Sequence, residues 1–123
     1  MKFLCLAYGA ENDWKALTRD EQDTLLAQDE VLRKRGALMA AVEPAVTTVR
    51  AWDGEPEVAT EAFARSDVPL AGFSVIEAEN IDQAVMLVAG TPCARAKGAI
   101  EIRPIMMIND AEWIAQRRSD STR

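Results

Sequence analysis

The chain has 123 residues, 49% hydrophobic and 28% charged, with a net charge of −6 and a pI near 4.7. That length fits one domain with a single core, and the acidic balance argues against nucleic acid or an anionic membrane as a partner. The sequence has no histidine, which excludes Ser-His and Cys-His nucleophile pairs and most zinc sites, so neither metal nor cofactor is expected.

The first strand is predicted over residues 2 to 8. Phe3, Cys5 and Ala7 share one face while Leu4, Leu6 and Tyr8 share the other, so both faces are apolar. This opening run is too short for a signal-peptide core or a membrane span. Cys5 and Cys93 form no closely spaced pair, which points to a reducing compartment. A cytoplasmic location is expected.

Thr18-Arg19-Asp20-Glu21 has the pattern of a capping box. It predicts a helix to about Arg35, stopped by Gly36. The apolar positions are Leu25, Leu26, Val31 and Leu32; Gln28 and Asp29 interrupt the stripe. Arg33-Lys34-Arg35 fits a last turn, where cations complement the macrodipole. Ala37 to Val42 is a short second strand. Val46 to Trp52 then runs into Asp53-Gly54, a favoured two-residue hairpin turn, and returns through residues 55 to 59. Pro56 confines that return arm to a sheet edge. Residues 60 to 69 read as irregular.

Leu70 to Glu77 is a further strand, again apolar on both faces. Asn80 caps a second helix, with Gln83 three positions on. Ile81, Ala84, Val85 and Val88 make its stripe, and Met86 and Leu87 widen it, which predicts burial on more than one side. Gly90 and Pro92 stop it. The last strand, Ala99 to Met106, alternates Ile100, Ile102 and Pro104 with Glu101 and Arg103. Asp110 to Arg117 reads as a short helix carrying Trp113, followed by a frayed tail.

This order predicts an α+β fold, a ferredoxin-like βαββαβ with an inserted β-hairpin. Its helices cover one face of the sheet only. The other face, also apolar, calls for a homodimer with sheets packed face to face.

Several segments, in this order and spacing, resemble a known family. They are Met1-Lys2-Phe3-Leu4, Thr47-Thr48-Val49-Arg50, Leu70-Ala71-Gly72-Phe73, Asp82-Gln83-Ala84, Pro92-Cys93-Ala94-Arg95 and residues 98 to 105. Together they resemble the YCII-related, DGPF-domain family. The resemblance covers residues 1 to 106 and leaves residues 107 to 123 as a C-terminal extension. It implies a small, bacterial, cytoplasmic protein that forms a dimeric α+β barrel. Some members lie beside sigma-factor genes, and relatives of the fold isomerise or dehalogenate small lactones. Two features depart from the pattern. Thr60-Glu61-Ala62-Phe63 stands where the family has Asp-Gly-Pro-Phe, and the histidine of a proposed histidine–aspartate pair has no counterpart.

Glu101 and Arg103 lie on one strand face, where Arg103 suits a ligand carboxylate and Glu101 a base; a structural ion pair is the ordinary alternative. Arg95 is placed to close over an anion, or simply to sit in solvent. Asp29 is a candidate cavity acid or half of an Asp29–Arg33 helical pair. Tyr8 is a proton donor or an interface anchor. Cys93 has Arg95 and Lys97 close enough to lower its pKa, though a plain loop thiol is the preferred reading. Trp14 and Trp52 read as packing. The function these residues support is binding of a small anionic organic molecule near the sheet face. The alternatives are a cofactor-free isomerase or lyase acting on a small acid or lactone, and a protein-binding regulatory module.

Overall fold

The structure is a computed structural model and describes residues 1–109. The expected terminal helix at Trp113 lies outside the described residues. The elements, in chain order, are β1 (Lys2–Tyr8), α1 (Glu11–Lys15), α2 (Arg19–Lys34), β2 (Leu38–Ala41), β3 (Thr48–Arg50), β4 (Glu57–Ala59), β5 (Leu70–Glu77), α3 (Ile81–Val88), α4 (Pro92–Arg95) and β6 (Ala99–Pro104).

Four strands form one sheet in the order β2-β5-β1-β6, with every neighbouring pair antiparallel. With α2 and α3 as the crossovers, this is the ferredoxin-like α+β arrangement expected from sequence. The helix-facing side is set by period-two alternation on β1. Phe3 sits between Ile76 and Pro104, and Cys5 between Ser74 and Ile102. Leu32 of α2 and Ala84 and Val88 of α3 close over them, and Phe3, Leu32 and Cys5 are fully or almost fully buried. On the opposite face Leu4 lies between Val75 and Arg103, and Leu6 between Phe73 and Glu101.

Local signals act as the sequence predicts at the helix ends. Thr18 accepts from the Glu21 backbone N–H at 3.1 Å while Glu21 accepts from the Thr18 N–H at 2.8 Å, the reciprocal bonds of a capping box. Gly36 takes φ +92°, and the N–H groups of Gly36 and Ala37 bond to the carbonyls of Arg33 and Leu32. That is a Schellman end, which a residue without Cβ accommodates without strain. Asn80 caps α3 by accepting from the Gln83 N–H at 2.9 Å.

Three expectations are corrected. First, α3 is buried on one side only: Ala84 and Val88 face the core, while Ile81, Val85 and Met86 are 45%, 47% and 77% exposed. Its apolar stripe is wider than the one sheet-facing side the fold gives it. Second, the hairpin keeps the register that Asp53-Gly54 dictates, with Arg50 opposite Glu57 and Thr48 opposite Ala59, but its ladder stops there. The Asp53 side chain accepts from the Glu55 N–H and Gly54 N–H bonds to Ala51 instead, so the tip opens into a wider loop. Third, Trp52 is not part of the core. It is 88% exposed, with the Arg50 guanidinium 5.4 Å from its ring centre.

Helix α1 was not legible. Its N-cap, Ala10, offers no side-chain acceptor, and five residues carry too little periodicity to register. The ion pair Glu11–Lys15 at 3.0 Å spans its length.

Candidate functional site

The break in the α2 stripe marks the site. Gln28 and Asp29 replace apolar residues between Leu25 and Leu32, and each has a different task. The Gln28 amide donates to the Leu87 carbonyl at 2.7 Å and ties α2 to α3. Asp29 instead lines a cavity of about 300 Å³ between the helices and the β2–β5–β1 part of the sheet. Cys5, Arg33, Ser74, Thr91 and Cys93 line it too. A hydrogen-bonding side chain at each of these positions is not needed for a core, and the space they leave is of small-molecule size.

Asp29 makes no hydrogen bond or ion pair among the described residues. Burial raises its pKa above the usual carboxylate value, and the positive charge of Arg33 offsets part of that. The helical pair expected from the i, i+4 spacing does not close, because Arg33 pairs with Glu30. Facing Asp29, Cys93 is also shifted upward, first by burial and then by the negative charge of Asp29. The alternative in which Arg95 and Lys97 lower it does not hold: Arg95 ends α4 in solvent and Lys97 is exposed. Cys93 is thus a neutral thiol near an acid whose charged form burial disfavours. Cys5 is raised by burial as well, against a smaller opposing effect from its contact with Ser74.

Cys93 owes its place to α4 and to the glycines around it. Thr91 donates its hydroxyl to the Val88 carbonyl at 2.6 Å, and Pro92 opens the four-residue helix. A methyl at Gly9 would lie 2.9 Å from Cys93 Sγ, so that glycine leaves room for the thiol.

The other sequence candidates lie elsewhere. Glu101 and Arg103 pair with each other at 2.9 Å on the sheet face away from the helices, 45% and 64% exposed. Tyr8 ends β1 on that same face, opposite Ala99. Of the five candidates, Tyr8, Asp29, Arg95, Glu101 and Arg103, only Asp29 lines this cavity. Sequence reasoning missed Ser74 and Thr91. Their one signal was polarity inside otherwise apolar runs.

No group of three or more histidine, cysteine or acidic side chains among the described residues is arranged to hold a metal. None of the described helices is long and apolar enough to cross a membrane.

Among solved structures, the chain is similar to the 5-chloro-2-hydroxyhydroquinone dehydrochlorinase of Burkholderia phenoliruptrix AC1100 in complex with 2,5-dihydroxybenzoquinone. The identity is 18% and the TM-score 0.46, covering 88% of this chain and 96% of that one. Comparison with curated proteins finds no match. The model of the YCII-related domain matches residues 1–113, and the chain belongs to that family.

Proposed function

We propose that the protein binds a small organic molecule in the Asp29 cavity and that Asp29 acts there as a proton acceptor, in a cofactor-free isomerisation or elimination. The observation that carries this reading is the Asp29 carboxyl, without a hydrogen bond or ion pair among the described residues, in a cavity of small-molecule size and with its pKa raised by burial. A base works best when its pKa approaches the working pH. Asp29 takes a proton from an acidic C–H or O–H of the ligand and holds it as a carboxylic acid. It then returns that proton to a neighbouring atom of the ligand, or a leaving group departs. Cys93, neutral beside it, is a donor for charge that develops on the ligand.

Incubation with small carbon acids in deuterated buffer tests this. Wild-type protein is expected to exchange the acidic hydrogen of at least one of them, and Asp29→Asn to lower the rate by about a hundredfold or more. Equal rates in the two proteins would end the proposal.

A second reading keeps the anionic ligand. Arg33 lines the same cavity, and turning from Glu30 it would take a carboxylate on the ligand. The same compounds compared as acids and as neutral esters separate the two: preference for the acids, abolished in Arg33→Ala, favours the anion.

We also propose a homodimer, formed through the sheet face that carries Leu4, Leu6, Tyr8 and Phe73. Leu38, at 62% exposed on that face, supports it. Sedimentation at micromolar concentration is expected to give twice the 13.5 kDa chain mass. In such a dimer Arg103→Ala strands Glu101 in the interface and costs about 3 kcal/mol. In a monomer the exposed pair is worth about 1 kcal/mol at most.

A further inference from the structure

A second cavity, of about 370 Å³, adjoins the first. Ala71, Pro92 and Cys93 line both, so the two cavities meet along these three residues. Their characters differ. The first carries Asp29, Ser74, Thr91 and two thiols, whereas Trp14, Val42, Pro44 and Leu70 give the second an apolar wall. Among the described residues its one charged lining residue, Glu11, is turned to Lys15 at 3.0 Å.

The apolar half is also rigid. Pro44, Pro69 and Pro92 line it, and a proline ring has no rotamers to lose when a ligand arrives. The main chain at Trp14 is tied to α2, its carbonyl accepting from the Gln22 amide at 2.9 Å. An indole and proline rings form flat walls, and flat walls make most contact with a planar ligand.

We propose that the two cavities are halves of one site whose ligand is an amphipathic ring compound, with a hydroxyl or N–H group at Asp29 and a planar apolar ring system against Trp14. This rests on the Asp29 reading above and adds the class of molecule. The apolar half supplies affinity through buried area, and Asp29 fixes which end of the molecule enters first.

Calorimetric titration with three probes tests it: phenol carries the polar group on a single ring, 2-naphthol adds the second ring, and 2-methoxynaphthalene has the rings without the donor. Wild-type protein is expected to bind 2-naphthol about tenfold more tightly than phenol, the worth of the extra buried ring area. Trp14→Ala should abolish that ratio, and Trp14→Phe should restore most of it. Leu70→Asn, at a partly exposed position on the same cavity wall, should abolish it too and decides the matter if Trp14→Ala fails to fold. Asp29→Asn should weaken phenol and 2-naphthol alike and spare 2-methoxynaphthalene. A 2-naphthol affinity no greater than that of phenol overturns the two-part site, as does a ratio untouched in the folded variants. If the ratio behaves as expected but Asp29→Asn leaves phenol unaffected, the reading of Asp29 falls while the apolar subsite stands.

Discussion

Gly98→Ala is expected to destabilise the protein by about 3 kcal/mol, near the upper end of what overpacking costs. The reason is space rather than backbone conformation. A methyl at Gly98 would fall well inside contact distance of the Tyr8 carbonyl oxygen and 2.7 Å from that of Cys93. Both neighbours are main chain, so neither clash is relieved by a rotamer change. Tyr8 belongs to β1, where it is opposite Ala99 of β6, and the Cys93 carbonyl belongs to α4. The substitution therefore pushes the last strand away from the centre of the sheet and α4 away from the cavity. Urea denaturation should show a midpoint far below that of wild type. Gly9→Ala makes the comparison, since its methyl would meet only the thiol of Cys93, which can turn aside. A stability loss at Gly98 no larger than at Gly9 would mean that β6 and α4 shift at little cost.

Asp29→Asn is expected to raise the melting temperature at pH 7 while removing the proposed proton acceptor. Burial raises the folded-state pKa of Asp29 above its unfolded value. Between those two values the folded protein holds the proton and the unfolded chain does not. Stability therefore falls as pH rises through that window, and the penalty is complete above the folded-state pKa. Asparagine fills similar space and never ionises. The variant's advantage should be largest above the folded-state pKa and shrink as the pH falls toward about 4, the unfolded value for aspartate. Other carboxylates titrate in both proteins, so the difference between their melting curves isolates Asp29. If the variant is less stable than wild type at every pH by a constant amount, Asp29 is a structural partner and not a strained functional acid. Stability sacrificed at a proton-transfer site is a common trade, because the desolvation that raises the pKa is what destabilises the charged form.

Much of the architecture was legible because it is written in short-range patterns. The alternation of Phe3, Cys5 and Ala7 against Leu4 and Leu6 fixes a two-faced strand, and a strand's side-chain period permits no other assignment. Thr18 with Glu21 and Asn80 with Gln83 fix the starts of both long helices, since the bonds they make span only three residues. Even the hairpin register follows from Asp53-Gly54, although the tip opens. What failed did so where a local signal met a choice made by tertiary structure. The stripe of α3 is wider than the side that the sheet covers. Trp52, apolar by composition, ends exposed on a hairpin tip beside Arg50.

The site divides in the same way. Sequence alone determined that no histidine chemistry is available and that Asp29 interrupts an apolar stripe. It also determined that Glu101 and Arg103 share a strand face, and they do. Only the tertiary structure decided that Glu101 and Arg103 occupy the face away from the helices, and that Asp29 meets Cys93 from 64 residues further along the chain. Spacing along a strand or helix sets which side chains point together. The pKa of Asp29 and the direction of the Cys93 shift depend instead on which charges and how much water lie near, and packing of distant segments sets both.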